Sequence, residues 1–178
     1  MTSNIHTPAR SRVGCITLFI GNVLFLVNRV QVTGFPQELI DPIRQCINST
    51  VGPIQNELDD YGAYDFRFQG SLQTMLNQTK ERAKSRKLTL ELLKCMLRHG
   101  WTFIQATPTM GCNVVQLDTM FFEQSAQAFI QEKYLLKPDE LFAIGFDNKD
   151  CVRVLEAPDA ITTLVREAIL EHWGGEAG

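Results

Sequence analysis

The period of the apolar positions changes several times along the chain, and each change marks an element. Tyr64, Phe66 and Phe68 alternate with Asp65, Arg67 and Gln69. That period of two predicts a half-buried strand with its rings turned inward. Residues 15–20 and 23–32 are β-branched and aromatic runs on either side of Gly21-Asn22. They predict a hairpin turning on that dipeptide. Leu39, Ile40, Ile43, Cys46 and Ile47 then recur at helical spacing behind Pro36, and Gly52-Pro53 stops them. Residues 59–62 read as a turn and 70–79 as a polar connection.

A longer helix is predicted over residues 80–99, where Leu88, Leu92, Cys95, Met96 and His99 lie along one side and Gly100 closes the end. Residues 101–107 and 114–123 read as strands about a turn at 108–113. Residues 126–134 fit either a short helix or a covering loop. A last hairpin is expected from residues 141–146 and 151–155. The final helix, residues 158–173, carries Ile161, Leu164, Val165, Ala168, Ile169 and Leu170 as its inward positions.

The order β-β-α-β-α-β-β followed by β-β-α lacks regular βαβ units. It points to the α+β class: a mainly antiparallel sheet with about three helices packed on one face. The chain end also repeats its beginning. Pro36, Leu39, Ile43, Arg44, Ile47 and Gly52 correspond to Pro158, Ile161, Val165, Arg166, Ile169 and Gly174, all at an offset of 122 residues. Each set follows two strand-like runs finishing in Arg-Val (Arg29-Val30 and Arg153-Val154). The expected organisation is a flexible leader at 1–12 and one α+β domain at 13–178. Within the domain lie a first repeat at 15–123, a linker at 124–138 and a partial second repeat at 139–174. A lone ββα unit cannot bury enough surface to stand by itself. It docks on the first copy, or on another chain as a homodimer or domain swap.

The chain has 178 residues, 44% of them hydrophobic, and a formal net charge of -3. That balance supports one good core and argues against a specific nucleic-acid binder. The five cysteines are odd in number and show no CxxC spacing. They fit reduced thiols in a cytoplasmic protein. Arg10 and Arg12 before residues 13–27 loosely resemble a targeting segment. The break at Gly21-Asn22 and the lack of a small-x-small cleavage site favour the hairpin, and the run is too short for a membrane-spanning helix.

Gly52-Pro53-Ile54-Gln55, the run from Tyr64 to Gly70, Gly100-Trp101 and Asp118-Thr119-Met120-Phe121-Phe122 together resemble an uncharacterised eukaryotic family built from tandem copies of one α+β unit. The resemblance implies the repeat and brings no activity, cofactor or site.

Candidate chemistry is sparse. Cys95 and His99 share a helix face at i, i+4, a spacing that can hold a metal but needs further ligands. Cys112 sits in a turn beside Gly111 and Asn113. No GxSxG elbow, HExxH motif or phosphate loop is present. An enzyme is therefore not indicated, and no cofactor or metal is expected. Lys80, Arg82, Lys84, Arg86 and Lys87 crowd eight residues, a candidate surface for an acidic partner or an anionic membrane. Trp101 is a candidate contact for a partner, and Trp173, at the position of Val51, a core plug. The leading expectation is a non-catalytic intracellular interaction or scaffold module. It would use the uncovered sheet face, a free sheet edge or the basic segment. The alternative is a carrier or small enzyme with a phenylalanine-lined pocket between sheet and helices.

Overall fold

Strand and helix alternate in pairs along the residues described by the computed structural model, which are 11–21, 27–69, 78–110, 115–124, 137–147 and 151–173. The order is β1 (Arg12–Gly21), β2 (Val27–Thr33), a 3-10 turn (Gln37–Leu39), α1 (Ile40–Val51), β3 (Ile54–Asp60), β4 (Ala63–Gln69) and α2 (Gln78–Arg98). Then come β5 (Thr102–Met110), β6 (Val115–Gln124), a 3-10 turn (Pro138–Glu140), β7 (Ala143–Asp147), β8 (Cys151–Leu155) and α3 (Asp159–Trp173). Six strands form one sheet in the order β3-β4-β2-β1-β6-β5, and β7-β8 form a second. Every pairing is antiparallel. The α+β class is the one the periodicities indicate.

Register explains the core. Ile16 stands opposite both Val32 and Met120, Leu18 opposite Val30, and Val30 opposite Phe66. These side chains form one buried band across four strands. Ile40, Ile43 and Ile47 of α1 close over it with Leu88, Leu92 and Met96 of α2. Each such side chain contributes on the order of 1.5–3 kcal/mol by leaving water. A slip of one residue in any strand would turn its whole set outward.

At one end of the band a glycine makes room for an aromatic. A Cβ on Gly14 would lie 2.6 Å from the Phe35 ring, which meets Trp101 edge-on with centroids 4.7 Å apart. Trp101 reaches that place because α2 stops abruptly. Gly100 takes φ +76, and the Trp101 N–H turns back to the Met96 carbonyl at 3.0 Å.

Two local expectations change. Residues 54–60 form a full strand, which their polarity hides. Ile54, Gln55, Asn56, Glu57, Leu58, Asp59 and Asp60 lie on a sheet edge, where only occasional positions meet the core. The β3–β4 hairpin turns on Tyr61 (φ 50) and Gly62 (φ 79), both left-handed as a tight hairpin requires. The first hairpin does not turn on Gly21-Asn22, because Phe19 pairs with Arg29. A turn at Gly21-Asn22 would set Ile20 against Val23. It would lose the inward match of Ile16 with Val32 and of Leu18 with Val30. The connecting residues 22–26, the leader and residues 126–134 lie outside the described residues.

Candidate interaction surface

α2 works on two sides. Leu88, Leu92 and Met96 face the main core, while Leu90 and Lys94 are buried half a turn round the helix. The second sheet lies against α2. Gly145 of β7 comes so close that a Cβ there would sit 2.7 Å from the Arg86 guanidinium. Arg86 Nη2 donates to the Phe146 carbonyl at 2.7 Å. Lys94 Nζ donates to Glu156 just after β8 and lies 3.5 Å from Glu91. Lys87 stands 3.6 Å from Glu156, and Arg98 pairs with Asp139 at 3.1 Å. Burial pulls the Lys94 ammonium down, but Glu156 and Glu91 outweigh it and hold its pKa above the usual value. The Lys94 hydrogen bond in turn holds Glu156 below the ordinary carboxylate range, against a smaller opposing effect of burial.

β7 and β8 therefore meet α2 with their odd positions and turn their even positions the other way. There α3 lies, with Trp173 edge-on to Phe146 at a centroid distance of 6.5 Å. On this side Ile144 pairs with Val154 and Phe146 with Val152. Val152 and Val154 stand 122 residues after Val30 and Val32, the offset that relates α3 to α1. The cross-strand partners of Val32 and Val30, Ile16 and Leu18, are 0% and 2% exposed. Ile144 and Phe146, in the matching places, are 45% and 65% exposed. Leu164 of α3 is 60% exposed, and no residue of α3 is buried. The inward set expected for the last helix is thus not buried. The physical reason is that α3 has no second helix beside it among the described residues, whereas α1 has α2.

The two tryptophans exchange their expected parts. Trp101 is 1% exposed and is a core element; Trp173 is 54% exposed. A partner cannot reach Trp101 in the folded chain, and Trp173 plugs nothing. The signal was available in sequence. Trp101 follows the Gly100 stop directly, so the chain must fold back under α2.

Of the basic segment, Lys80 and Arg82 lie within α2 (Gln78–Arg98), and their side chains are outside the described residues. Lys84 and Lys87 are exposed, Lys87 within reach of Glu156. Arg86 is half-buried and committed to the Phe146 carbonyl. Two of the five basic residues therefore help fasten the second sheet to α2.

Cys95 and His99 do share a face, with Sγ 4.0 Å from Nδ1, but Nδ1 donates to the Cys95 carbonyl at 2.8 Å. Among the described residues no group of three or more His, Cys, Asp or Glu side chains could hold a metal. Burial pushes the Cys15 and Cys95 thiols up. Cys46 is pushed up to about 12, mainly by burial and then by neighbouring Cys95. These shifts are opposite to those of an activated nucleophile. Cys112 lies outside the described residues.

Other surfaces are less apolar. The outer face of the main sheet carries Arg29, 3.7 Å over the Phe19 ring and 3.3 Å from Asp65. A concavity of ≈ 640 Å³ is lined by Arg44, Asn48, Pro53, Ile54, Gln55, Asn56 and Glu57, a largely polar set held by the Arg44–Glu57 pair. Phe66, Phe68 and Phe122 fill the core instead of lining a cavity. Both sheet edges are blunted, β3 by Glu57, Asp59, Asp60 and a register shift at its start, β5 by a register shift between Phe103 and Gln105. No helix among the described residues is long and apolar enough to cross a membrane.

A family model matches residues 26–123, more than half of the chain, and the chain belongs to that uncharacterised domain family. No curated protein matches the chain. A crystal structure of a conserved kinetoplastid-specific protein from Trypanosoma cruzi is similar over 65% of this chain and 99% of its own, at 10% identity and a TM-score of 0.47.

Proposed function

We propose that the chain is a non-catalytic interaction module, and that its docking surface is the even-numbered side of β7 with the adjoining flank of α3. The observation that carries this is the contrast at matched positions. Ile16 and Leu18 are sealed under two helices, while Ile144 and Phe146 lie open beside one. The offset of 122 residues and the shared ββα order support an internal duplication. A helix-and-strand surface left apolar in this way marks a contact site, since monomers seldom expose such a patch without use. An intracellular setting fits the free thiols Cys15, Cys46, Cys95 and Cys151.

The basic segment takes a smaller part in this reading, because Arg86 and Lys87 already reach Phe146 and Glu156. Acrylamide quenching at high dilution tests the proposal, with the Trp173 emission taken as the difference between the native chain and Trp173→Phe. Free access of quencher to Trp173, beside a protected Trp101, is expected. A shielded Trp173 in the dilute chain overturns the docking surface.

A further inference from the structure

We infer that the open edge of β7 takes an extended segment of a partner protein as an added strand, apolar at alternate positions that lie beside Phe142, Ile144 and Phe146; the inference deepens the docking surface proposed above and rests on it. Three observations lead there. First, β7 is an edge without the usual protection. Among the described residues, β8 is its one neighbour in the sheet. None of residues 141–146 carries a charge, and the β7–β8 ladder runs without a register shift. The edges of the main sheet differ. β3 carries Glu57, Asp59 and Asp60, and a register shift breaks both β3 and β5. On the far edge of the second sheet, β8 carries Arg153 and is half-buried along its length. Native chains blunt the strand edges they keep free, so a regular, uncharged edge marks a place where a strand adds.

Second, the side chains of that edge strand are open on one face. Phe142, Ile144 and Phe146 are 37%, 45% and 65% exposed, while Leu141, Ala143 and Gly145 between them are half-buried. Trp173 stands beside this face, edge-on to Phe146. A strand laid along β7 turns every second side chain to the same face, next to Ile144 and the rings. That alternation sets the chemistry of the partner segment.

Third, the first unit shows an equivalent edge filled. Ile144 faces Val154 across its hairpin as Ile16 faces Val32, and Phe146 faces Val152 as Leu18 faces Val30. β7 thus corresponds to β1. The side of β1 away from β2 is paired along its whole length with β6, which sets Met120 opposite Ile16 and Phe122 opposite Gly14. Met120 and Phe122, two residues apart, are 2% and 0% exposed. A strand of the β6 kind is therefore what the matching edge of β7 is shaped to hold.

A synthetic peptide with the sequence of Val115–Gln124 is the probe, titrated into the isotope-labelled full chain and followed by amide and indole NMR shifts. Saturable shifts at residues 142–146 and at the Trp173 indole are expected. Ile144→Glu and Phe146→Glu are each expected to weaken binding by about tenfold or more. Both positions are exposed, so circular dichroism is expected to stay native. Methylating one peptide nitrogen, at Thr119 in one probe and at Met120 in another, is expected to weaken binding by about tenfold in one case and to change it little in the other. A strand turns only alternate N–H groups to its neighbour. Equal effects of the two methylations overturn strand addition. Shifts confined to β1 and β5 mean exchange with the chain's own β6 and overturn it too. No shift at millimolar peptide, with Trp173 open to quencher, overturns the added strand and leaves the docking surface standing; the same result with Trp173 shielded overturns both. Shifts of the β7 amides on concentrating the native chain alone, with none from the peptide, overturn the inference in favour of a second copy.

Discussion

Removing the carboxylate of Glu156 should loosen the second sheet from α2. Lys94 is buried on α2, with only 9% of its side chain exposed, and its charge is met by Glu156 and, at 3.5 Å, by Glu91. Breaking a fully buried pair by deleting one partner costs about 3–5 kcal/mol. Here Glu156 is about one-third exposed and Glu91 remains. Solvent screening and the surviving partner reduce the expected loss for Glu156→Gln to about 1–2 kcal/mol. Lys94→Met keeps the packed stem and removes the charge; Glu156 then turns to water, and the cost falls to about 0.5–1 kcal/mol. The double variant should lose less than the two single losses added together, with a coupling of about 1 kcal/mol, because the second change removes a group the first has already orphaned. Urea unfolding of the four proteins measures the cycle, and hydrogen exchange in α3 shows where the loss falls. Additivity within a few tenths of a kcal/mol would sink the argument that this pair fastens the second sheet to α2.

Two further outcomes follow from the same packing. Gly14→Ala drives a Cβ into the Phe35 ring, which rests on Trp101; overpacking of this kind costs about 1–3 kcal/mol. It should lower the unfolding midpoint and shift the emission of Trp101 but not that of Trp173. Acid should undock β7 and β8 before it unfolds the main sheet. Glu156 has its folded pKa lowered, so its contribution is present above the unfolded carboxylate value and is lost as pH falls through the folded one. Lys94 has its folded pKa raised, so its contribution holds below the ordinary ammonium range and fades as pH climbs through the folded value. α3 exchange protection should therefore hold steady across neutral pH and drop below the ordinary glutamate range. Parallel loss in α3 and β4 would contradict this.

The legible parts of the fold are those where one face alone is buried. Tyr64, Phe66 and Phe68 announced β4, and Leu88, Leu92 and Met96 announced α2, because alternation or helical spacing survives when the other face is wet. β3 escaped notice because an edge strand carries few buried positions and its acidic residues serve to discourage pairing. The first hairpin's register escaped because Gly21-Asn22 is a good turn locally. The match of Ile16 with Val32 and of Leu18 with Val30 is settled by neighbouring strands far along the chain. At the candidate surface the sequence showed an apolar stripe on α3 and could not show that no second helix among the described residues covers it. The same stripe reads alike whether it is sealed or open. The basic residues on α2 were equally ambiguous, since the positions of their internal partners, the Phe146 carbonyl and Glu156, come only with the docking of β7 and β8.

Hydrogen exchange of the native chain at high dilution bears most directly on the interaction surface. If the even side of β7 and the flank of α3 form an open docking face, the amides of α3 and β7 exchange much faster than those of β4. Slow exchange in α3, equal to that of β4, would show the face already covered within one chain and would contradict the account.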